Sequence, residues 1–492
     1  VTLSNLTRIR QIARTGDTLR AWRMFEAAGL LASNHPDALS LRGRLLKDRA
    51  LKANGEQRSA FFDQAEAAYL QSAGARRATY PLINAATIAF LNGKTDQARL
   101  LAEKTLALLE SGNHDPETSY WLGATRAEAE LLLGRFDAGK ATLEAAIAST
   151  PSAWEDHAAT LGQLRLILEE ADRPATLLDH LRPPASLHFS GLIGLAYDDQ
   201  VARAAINGAF DAIRPGFVFG ALAAGADIVV AEIAITHGAQ LHVVLPTSIA
   251  SFREQSVARF GADWSARFDR LIDLAEMVET LADGDALSDA GITLGEEVAM
   301  GLTIRRARTL ASKAVALRVR RPSDPPFPSE TAWRRRGLPF REVMVERSAA
   351  RSDQPLAPRS RRVILASARP LPPELPLPSG ATVAALAGIA IVQFDSLADA
   401  ADFAVAALRA MPDNRIGLDY RIVDRGDDQL EEIAGTAALL ARAAPAASIY
   451  AASPGVLAMD LHAPHLKFEA AGEIVTPIGD IPVSMLSLSP EP

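Results

Sequence analysis

The sequence predicts a multidomain protein of α + α/β class: a helical solenoid, then a parallel α/β region, then a second α/β region of different composition. Three observations carry this reading. Glycines recur with a period near 40 through the first 180 residues. Residues 219–246, FGALAAGADIVVAEIAITHGAQLHVVLP, read as strand, glycine-rich turn, helix, glycine stop and strand in 28 residues. Beyond residue 382, apolar strand-like runs and alanine-rich helix-like runs alternate to the end. A length of 492 residues fits about three domains at roughly 100–200 residues each.

In the first region Gly16, Gly55, Gly93 and Gly134 fall 39, 38 and 41 residues apart, each between two amphipathic runs. LNGKTDQA (91–98) and LLGRFDAG (132–139) align turn on turn. A repeat of this length built from helix pairs is an α-solenoid, in which no pair buries its apolar face without its neighbours. Tyr80, Tyr120 and Trp121 read as helix-to-helix core, and His35 and His114, beside prolines, as loop residues. The region, residues 4–180, resembles degenerate tetratricopeptide repeats. YPLINAATIAFLNG (80–93) and YWLGATRAEAELLLG (120–134) are similar to the variant called the TRAFs-binding domain. The resemblance implies protein partners bound through the repeats.

The periodicity changes at LRPPASLHFSG (181–191). Leu187 to Ser190 reads as a strand, Gly191 to Asp198 as a loop and Asp199 to Ile213 as a helix. Phe217 to Phe219 and Leu241 to Leu245 are continuous apolar runs, as expected of strands buried on both faces. Small residues at Ala223 to Ala226 allow a tight turn, Asp227 suits a helix start, and Gly238 suits a helix stop. In such a unit the loop after the strand faces the ligand, and the first helical amides point at any phosphate. Ser190, Gly191, Gly220, Ala224, Gly225 and Asp227 are therefore the candidate binding residues. FSG (189–191), GALAAGADIVVAE (220–232), HVVLP (242–246), SVARFGADWSARF (256–268) and TAWRRRG (331–337) together resemble the SLOG superfamily of Rossmann-like nucleotide sensors over residues 186–345. The resemblance implies a nucleotide-derived ligand and no required cofactor. Relatives carry a His and an acid just after the SG pair, where this chain has Leu192, Ile193, Gly194 and Leu195; nor does it carry the PGGxGTxxE pattern of hydrolytic relatives. Glu232 reads as a partner for Arg203 or as part of a solvated face. Binding without hydrolysis is the expectation.

Residues 305–362 hold 16 Lys or Arg against 5 Asp or Glu. They read as a solvated basic face, or second as a phosphate clamp, since guanidinium matches phosphate bidentately. Residues 346–360 read as a linker. Then come a strand RRVILAS (361–367), a strand TVAALAGIAIVQF (382–394), a helix (397–411), a strand (416–423), a helix (431–444), a strand SIYAAS (448–453) and two short strands around a turn (472–488). Through VQFDSLADAADFA (392–404) and this order, residues 361–488 resemble a degenerate class III adenylate/guanylate cyclase domain whose first long helix is deleted. That family holds two divalent ions on two aspartates. The corresponding places here are Ala366, Ser367 and Ala368, and a hairpin near Gly388 with no acid between Gly380 and Asp395. The family's orienting asparagine falls near Leu439, which is apolar; Arg442 follows. Asp395 reads as a turn residue, Asp419 as a strand-face residue, and His462 and His465 as surface loop histidines. No catalytic residue and no metal ligand is assigned.

The absence of cysteine excludes disulfides, thiolate metal sites and a cysteine nucleophile. Ser190–Gly191 lacks the G-x-S-x-G context of a hydrolase serine. A net charge of −8 argues against nonspecific nucleic-acid binding. No apolar run suggests a signal peptide or a spanning helix, so the cytoplasm is expected. The expected function is noncatalytic signalling: a partner-binding solenoid, a nucleotide-sensing domain, and a pseudo-cyclase domain that forms homodimers or heterodimers. Two alternatives stand beside it, a cyclase active only as one half of a heterodimer and an interaction scaffold without ligand.

Overall fold

A computed structural model describes residues 3–14, 18–74, 76–196, 198–281, 286–346, 356–424, 430–476 and 479–487. The chain divides into two compact units, Val1–Pro183 and Pro184–Pro492.

The first unit is helical among its described residues: α1 (Leu3–Arg14), α2 (Thr18–Ala27), α3 (Pro36–Ala50), α4 (Gly55–Gly74), α5 (Thr79–Leu91), α6 (Thr95–Ser111), α7 (Ser119–Leu132), α8 (Phe136–Ser149) and α9 (Trp154–Glu170), with 3-10 turns at 30–32 and 175–181. Antiparallel pairs form at α3–α4, α5–α6 and α7–α8. The turns inside these pairs carry Gly55, Gly93 and Gly134 at φ 55°, 76° and 76°, while Gly16 lies outside the described residues. Two of the turns are the same device. Lys94 N donates to Ala89 O and Gly93 N to Phe90 O, and Arg135 N and Gly134 N repeat this with Glu130 O and Leu131 O. That pattern needs a left-handed residue, which glycine adopts without a Cβ clash. The aromatic reading is corrected at one place. Tyr120 is buried and Trp121 half-buried against it, but Tyr80 is 41% exposed, touching Tyr69 edge-on.

The second unit opens with β1 (Ala185–Gly191), α10 (Gln200–Ile213), β2 (Pro215–Gly220), α11 (Ala226–Thr236), β3 (Gln240–Leu245), α12 (Ile249–Ser256), α13 (Ala262–Leu274), β4 (Met277–Thr280), α14 (Asp289–Thr309), β5 (Ala314–Arg320), α15 (Pro328–Arg335) and β6 (Phe340–Met344). Its six strands form one parallel sheet in the order β4-β3-β2-β1-β5-β6. One face buries Leu187, Phe189, Val218, Leu241, Val315 and Leu317 against α10, α11 and α13. The other face is covered by α14.

The same unit continues with β7 (Arg359–Ser367), β8 (Thr382–Leu386), β9 (Ile389–Phe394), α16 (Leu397–Ala410), β10 (Arg415–Asp424), α17 (Leu430–Ala443), β11 (Ser448–Ala452), α18 (Ser453–His462), β12 (Glu469–Thr476) and β13 (Gly479–Ser487). These strands form a mixed sheet, β12-β13-β11-β10-β7-β9-β8, in which only β10 and β11 run parallel. The run 382–394, expected as one strand, is a hairpin turned at Ala387 and Gly388, both at positive φ. Helix α18 is also unexpected, so His462 ends a helix instead of lying in a loop. The linker reading at 346–360 falls mostly on 347–355, outside the described residues.

Helix α17 covers one face of the second sheet, on Ile364, Ala366 and Ile391. By strand alternation, Arg361, Val363 and Tyr420 share the other face, and Phe394, opposite Val363, meets Phe403 of α16 there. Helix α14 also packs on this face, against β7 and α18. The fit to α18 is close: a Cβ on Gly301 would collide with the Leu457 carbonyl. One helix therefore lies between both sheets.

Candidate functional site

In the first sheet the chain runs outward from β1 to β4, then crosses back to β5 on the far side of β1. Ligands of open parallel sheets bind where the strand order reverses, at the carboxyl ends of the strands. Here that place lies between the ends of β1 and β5, and the expected binding residues gather near it. Ser190 and Gly191 end β1, Gly220 ends β2, Ala224 and Gly225 form the turn, and Asp227 lies in the first turn of α11.

What fills the turn is the chain itself. Ala226 N, at the head of α11, donates to Leu192 O (3.1 Å), Gly194 N donates to Ala224 O (3.2 Å), and Ala224 N donates to Ser256 O (3.0 Å). Ile193 and Gly225 form an isolated bridge. Leu192 and Leu195 are buried in the core beneath. The glycines fit this closure. A Cβ on Gly225, at φ 124°, would press on Leu192 O, and one on Gly191 would meet the Ala226 methyl.

Behind the turn lies a buried polar cluster. Arg318, in β5, hydrogen-bonds Ser190 Oγ (2.6 Å) and pairs with Glu296 of α14. Ser190 Oγ donates to Glu296 Oε1 (3.1 Å), Ser329 Oγ donates to Glu296 Oε2 (2.6 Å), and His188 Nε2 lies 3.8 Å from Oε1. Phe327 caps the guanidinium at 3.8 Å. Burial pushes the Glu296 carboxyl up, but His188, Arg318 and Ser329 outweigh it and hold it down at about 2. Asp227 behaves oppositely. Burial pushes it up to about 7 against the Ala223 and Gly191 amides and the Arg318 charge, and its Oδ1 has no hydrogen-bond partner among the described residues.

The neighbouring Glu297 faces the second sheet. It accepts from Arg361 (2.7 Å) and Tyr420 (2.8 Å), and His462 Nε2 lies 3.1 Å away. Burial raises Glu297, yet His462 and Arg361 bring it below its ordinary value. Consecutive carboxylates of α14 thus anchor polar networks of two different sheets.

The basic stretch 305–362 is corrected by these contacts. Arg305 and Arg308 hold Asp460, Arg320 holds Glu330 and Glu342, and Arg362 holds Asp395, so these guanidiniums tie elements together instead of forming a solvated face. Arg318, Glu296, His188 and Glu297 escaped the sequence reading. The available signal was an arginine inside the apolar strand AVALRVR, which demands a buried partner. Of the two readings of Glu232, the structure shows the pair with Arg203 (2.6 Å), and a second with Arg267. His465 is exposed beside Asp402, whereas His462 is the buried network's partner described above.

In the second sheet Ala366 and Ser367 are buried at the end of β7, and Ser367 Oγ accepts from Asn414. Asp395 is exposed; Asp419 is buried, and burial pushes its carboxyl up. Among the described residues no three His, Asp or Glu side chains gather to hold a metal, and no helix is long and apolar enough to cross a membrane.

Residues 4–89 match the family model described as Tetratricopeptide Repeats-Sensor. No curated protein matches the chain. Among solved structures it is similar to an adenylate/guanylate cyclase/hydrolase from Silicibacter pomeroyi, at 15% identity and a TM-score of 0.22, over 27% of this chain and 100% of that one. Residues 4–89 are thus a tetratricopeptide-like part of the helical unit, and repeats of this kind generally mediate protein–protein interaction.

Proposed function

We propose that this chain is a noncatalytic regulatory protein whose helical repeats bind a protein partner and whose α/β unit is a SLOG-like sensor fused to a pseudo-cyclase sheet. The observation that supports it most is the closed switch point: the first amide of α11 already holds Leu192 O, and Arg318 Nη1 is engaged by Glu296 and Ser190. A phosphate group seated at this switch point would need those donors free. At the cyclase-like end of β7 stand Ala366, Ser367 and Ala368 in place of an ion-binding carboxylate. Incubation with ATP or GTP and magnesium or manganese is expected to give no cyclic nucleotide. Product formation that disappears in Asp419→Ala would overturn the reading and restore a cyclase, alone or as a heterodimer half.

A second reading, ligand sensing at the switch point, is favoured by the unpartnered Asp227 Oδ1 beside the Arg318 charge. A ligand at 100 times its Kd stabilises a fold by about 2.7 kcal/mol, which a thermal-shift panel of nucleotides detects. The expected shift is lost in Asp227→Asn. A panel without any shift would leave the interaction scaffold. Sedimentation of the purified chain tests pairing through the cyclase-like sheet.

A further inference from the structure

The two sheets end in four edge strands, β4, β6, β12 and β8. An edge strand offers a row of free backbone donors and acceptors, and natural proteins guard it with charge, shortness, a bulge or a covering element. Three of the four are guarded. Strand β4 has four residues and carries Glu279; β6 carries Arg341 and Glu342 and lies against α10; β12 carries Glu469 and Glu473 and is irregular between Ala470 and Gly472. Strand β8 is different. Its five residues, Thr382 to Leu386 (TVAAL), hold no charge, no proline and no glycine, and they pair with β9 in unbroken register. Thr382, Val383 and Ala385 are exposed, Val383 to 54%.

The hairpin fixes which backbone groups of β8 face outward. Leu386 and Ile389 flank a two-residue turn, Ala387 and Gly388, whose φ of 47° and 81° are the positive values of a type I′ turn. Such a turn closes on a hydrogen-bonded pair, and bonded and non-bonded pairs then alternate along the ladder. Leu386, Ala384 and Thr382 therefore bond inward to Ile389, Ile391 and Gln393, while the N–H and C=O of Val383 and Ala385 point away from β9 at the rim of the sheet. Among the described residues no backbone hydrogen bond links β8 to any segment but β9.

We propose that β8 is a dimer edge, joined to β8 of a second copy of this chain in antiparallel register about Ala384. In that register Val383 faces the partner's Ala385, Ala385 faces the partner's Val383, and each pair exchanges both of its hydrogen bonds, so every outward group of the edge is used. The edge is its own complement, because its outward residues stand one on each side of Ala384, and that selects a second copy over a foreign strand. The side chains agree. Ala384 meets the partner's Ala384 at the centre, where a non-bonded pair brings Cα atoms to about 4.5 Å and a methyl fits. No like charges meet, because the strand has none. The proposal rests on the reading that the cyclase-like sheet pairs with another, and it names the strand. One short strand pair lies at the small end of interface sizes, so the dimer is weak and reversible.

The chain lacks cysteine, so a single introduced thiol reports the register. Ala384→Cys places two thiols across the two-fold axis, with Cα atoms in the range of roughly 4.4–6.8 Å that a disulfide spans. Thr382→Cys, at a more exposed position, leaves them about 13 Å apart along the strands. Under mild oxidation of the full chain, Ala384→Cys should form a covalent dimer at least about ten-fold faster than Thr382→Cys, since only the first pair lies in bonding range. Sedimentation of the unmodified chain up to about 500 μM should show a reversible dimer, as a small interface requires. Val383→Lys adds a charge at an exposed position of each strand, so the urea midpoint holds while the dimer weakens about ten-fold. The cross-link ratio stands independent of that variant. Equal or faster cross-linking at 382, or a dimer that Val383→Lys leaves unchanged, overturns the proposal and leaves any pairing of the sheet to another surface. A chain that stays monomeric overturns both the edge and the pairing. The noncatalytic reading is tested by the cyclic-nucleotide assay and moves with neither result.

Discussion

Helix α14 carries two buried carboxylates and helix α9 packs over a third, on α7, and the two helices are held in opposite ways. On α14 the carboxylates of Glu296 and Glu297 each face an arginine and a histidine, and both are held below their ordinary values despite burial. Under α9 the carboxyl of Glu128 is pushed up by burial and meets mainly neutral donors, Thr87 and Gln163, with Lys47 further off. Removing one member of a buried ion pair strands the other charge. Removing the Glu128 carboxyl leaves the Thr87 and Gln163 donors without an acceptor but strands no directly paired charge. The first helix is held by ion-paired networks; the second is held by neutral hydrogen bonds beside its buried leucines.

The largest effect expected from this contrast is at Glu296. Glu296→Gln leaves the Arg318 guanidinium buried without a counter-charge and should lower the stability of the second unit by about 3–5 kcal/mol, read from urea midpoints. The wild-type pH profile carries the same sign. A folded-state value near 2 gives stability that is present above the unfolded carboxylate range and lost as pH falls toward 2. A variant within about 1 kcal/mol of wild type, the range of an exposed pair, would break the comparison on the α14 side.

Asp227 gives a smaller effect of opposite sign. Its folded value near 7 lies above the unfolded one, so the folded state holds the extra proton and stability falls as pH rises from about 4 to 7. Asp227→Asn should therefore stabilise by about 2 kcal/mol at pH 8, at roughly 1.36 kcal/mol per pKa unit less what the amide forfeits, and change little at pH 4. Equal midpoints at both pH values would remove Asp227 from the account. Smallest is Glu128→Gln, which keeps an acceptor for Thr87 and Gln163 and should move the first unit's midpoint by no more than about 1 kcal/mol. A loss as large as that at Glu296 would make the two helices alike.

Local chemistry explains what was legible beforehand. The helix pairs could be read because each turn needs a left-handed residue, and glycine marks it in the sequence. Strands β1 to β3 could be read because short apolar runs stand beside glycine turns; β5 could not, since its arginines interrupt the run. The hairpin at Ala387–Gly388 lacks the asparagine or aspartate that usually announces such a turn. Helix α18 was hidden behind a Ser-Pro-Gly start. The candidate residues lie together at the strand ends and the following turn, but the chain's own closure of that turn was not legible. Pairings across long separations leave no local trace: Arg318 and Glu296 are 22 residues apart, Lys47 and Gln163 116, and Arg305 and Asp460 155.

Back-to-back glutamates on α14 also set an order of events during synthesis. The helix emerges with β1 to β4 already made, and Glu296 finds Arg318 and Ser329 within the next few dozen residues. Glu297 and Gly301 wait for Arg361, Tyr420, Leu457 and His462. At roughly 5–20 residues per second, the 161 residues from Gly301 to His462 take roughly 8–32 s. During that interval the nascent first sheet presents the unfinished side of α14, a carboxylate beside a bare glycine, to whatever the ribosome's surroundings hold.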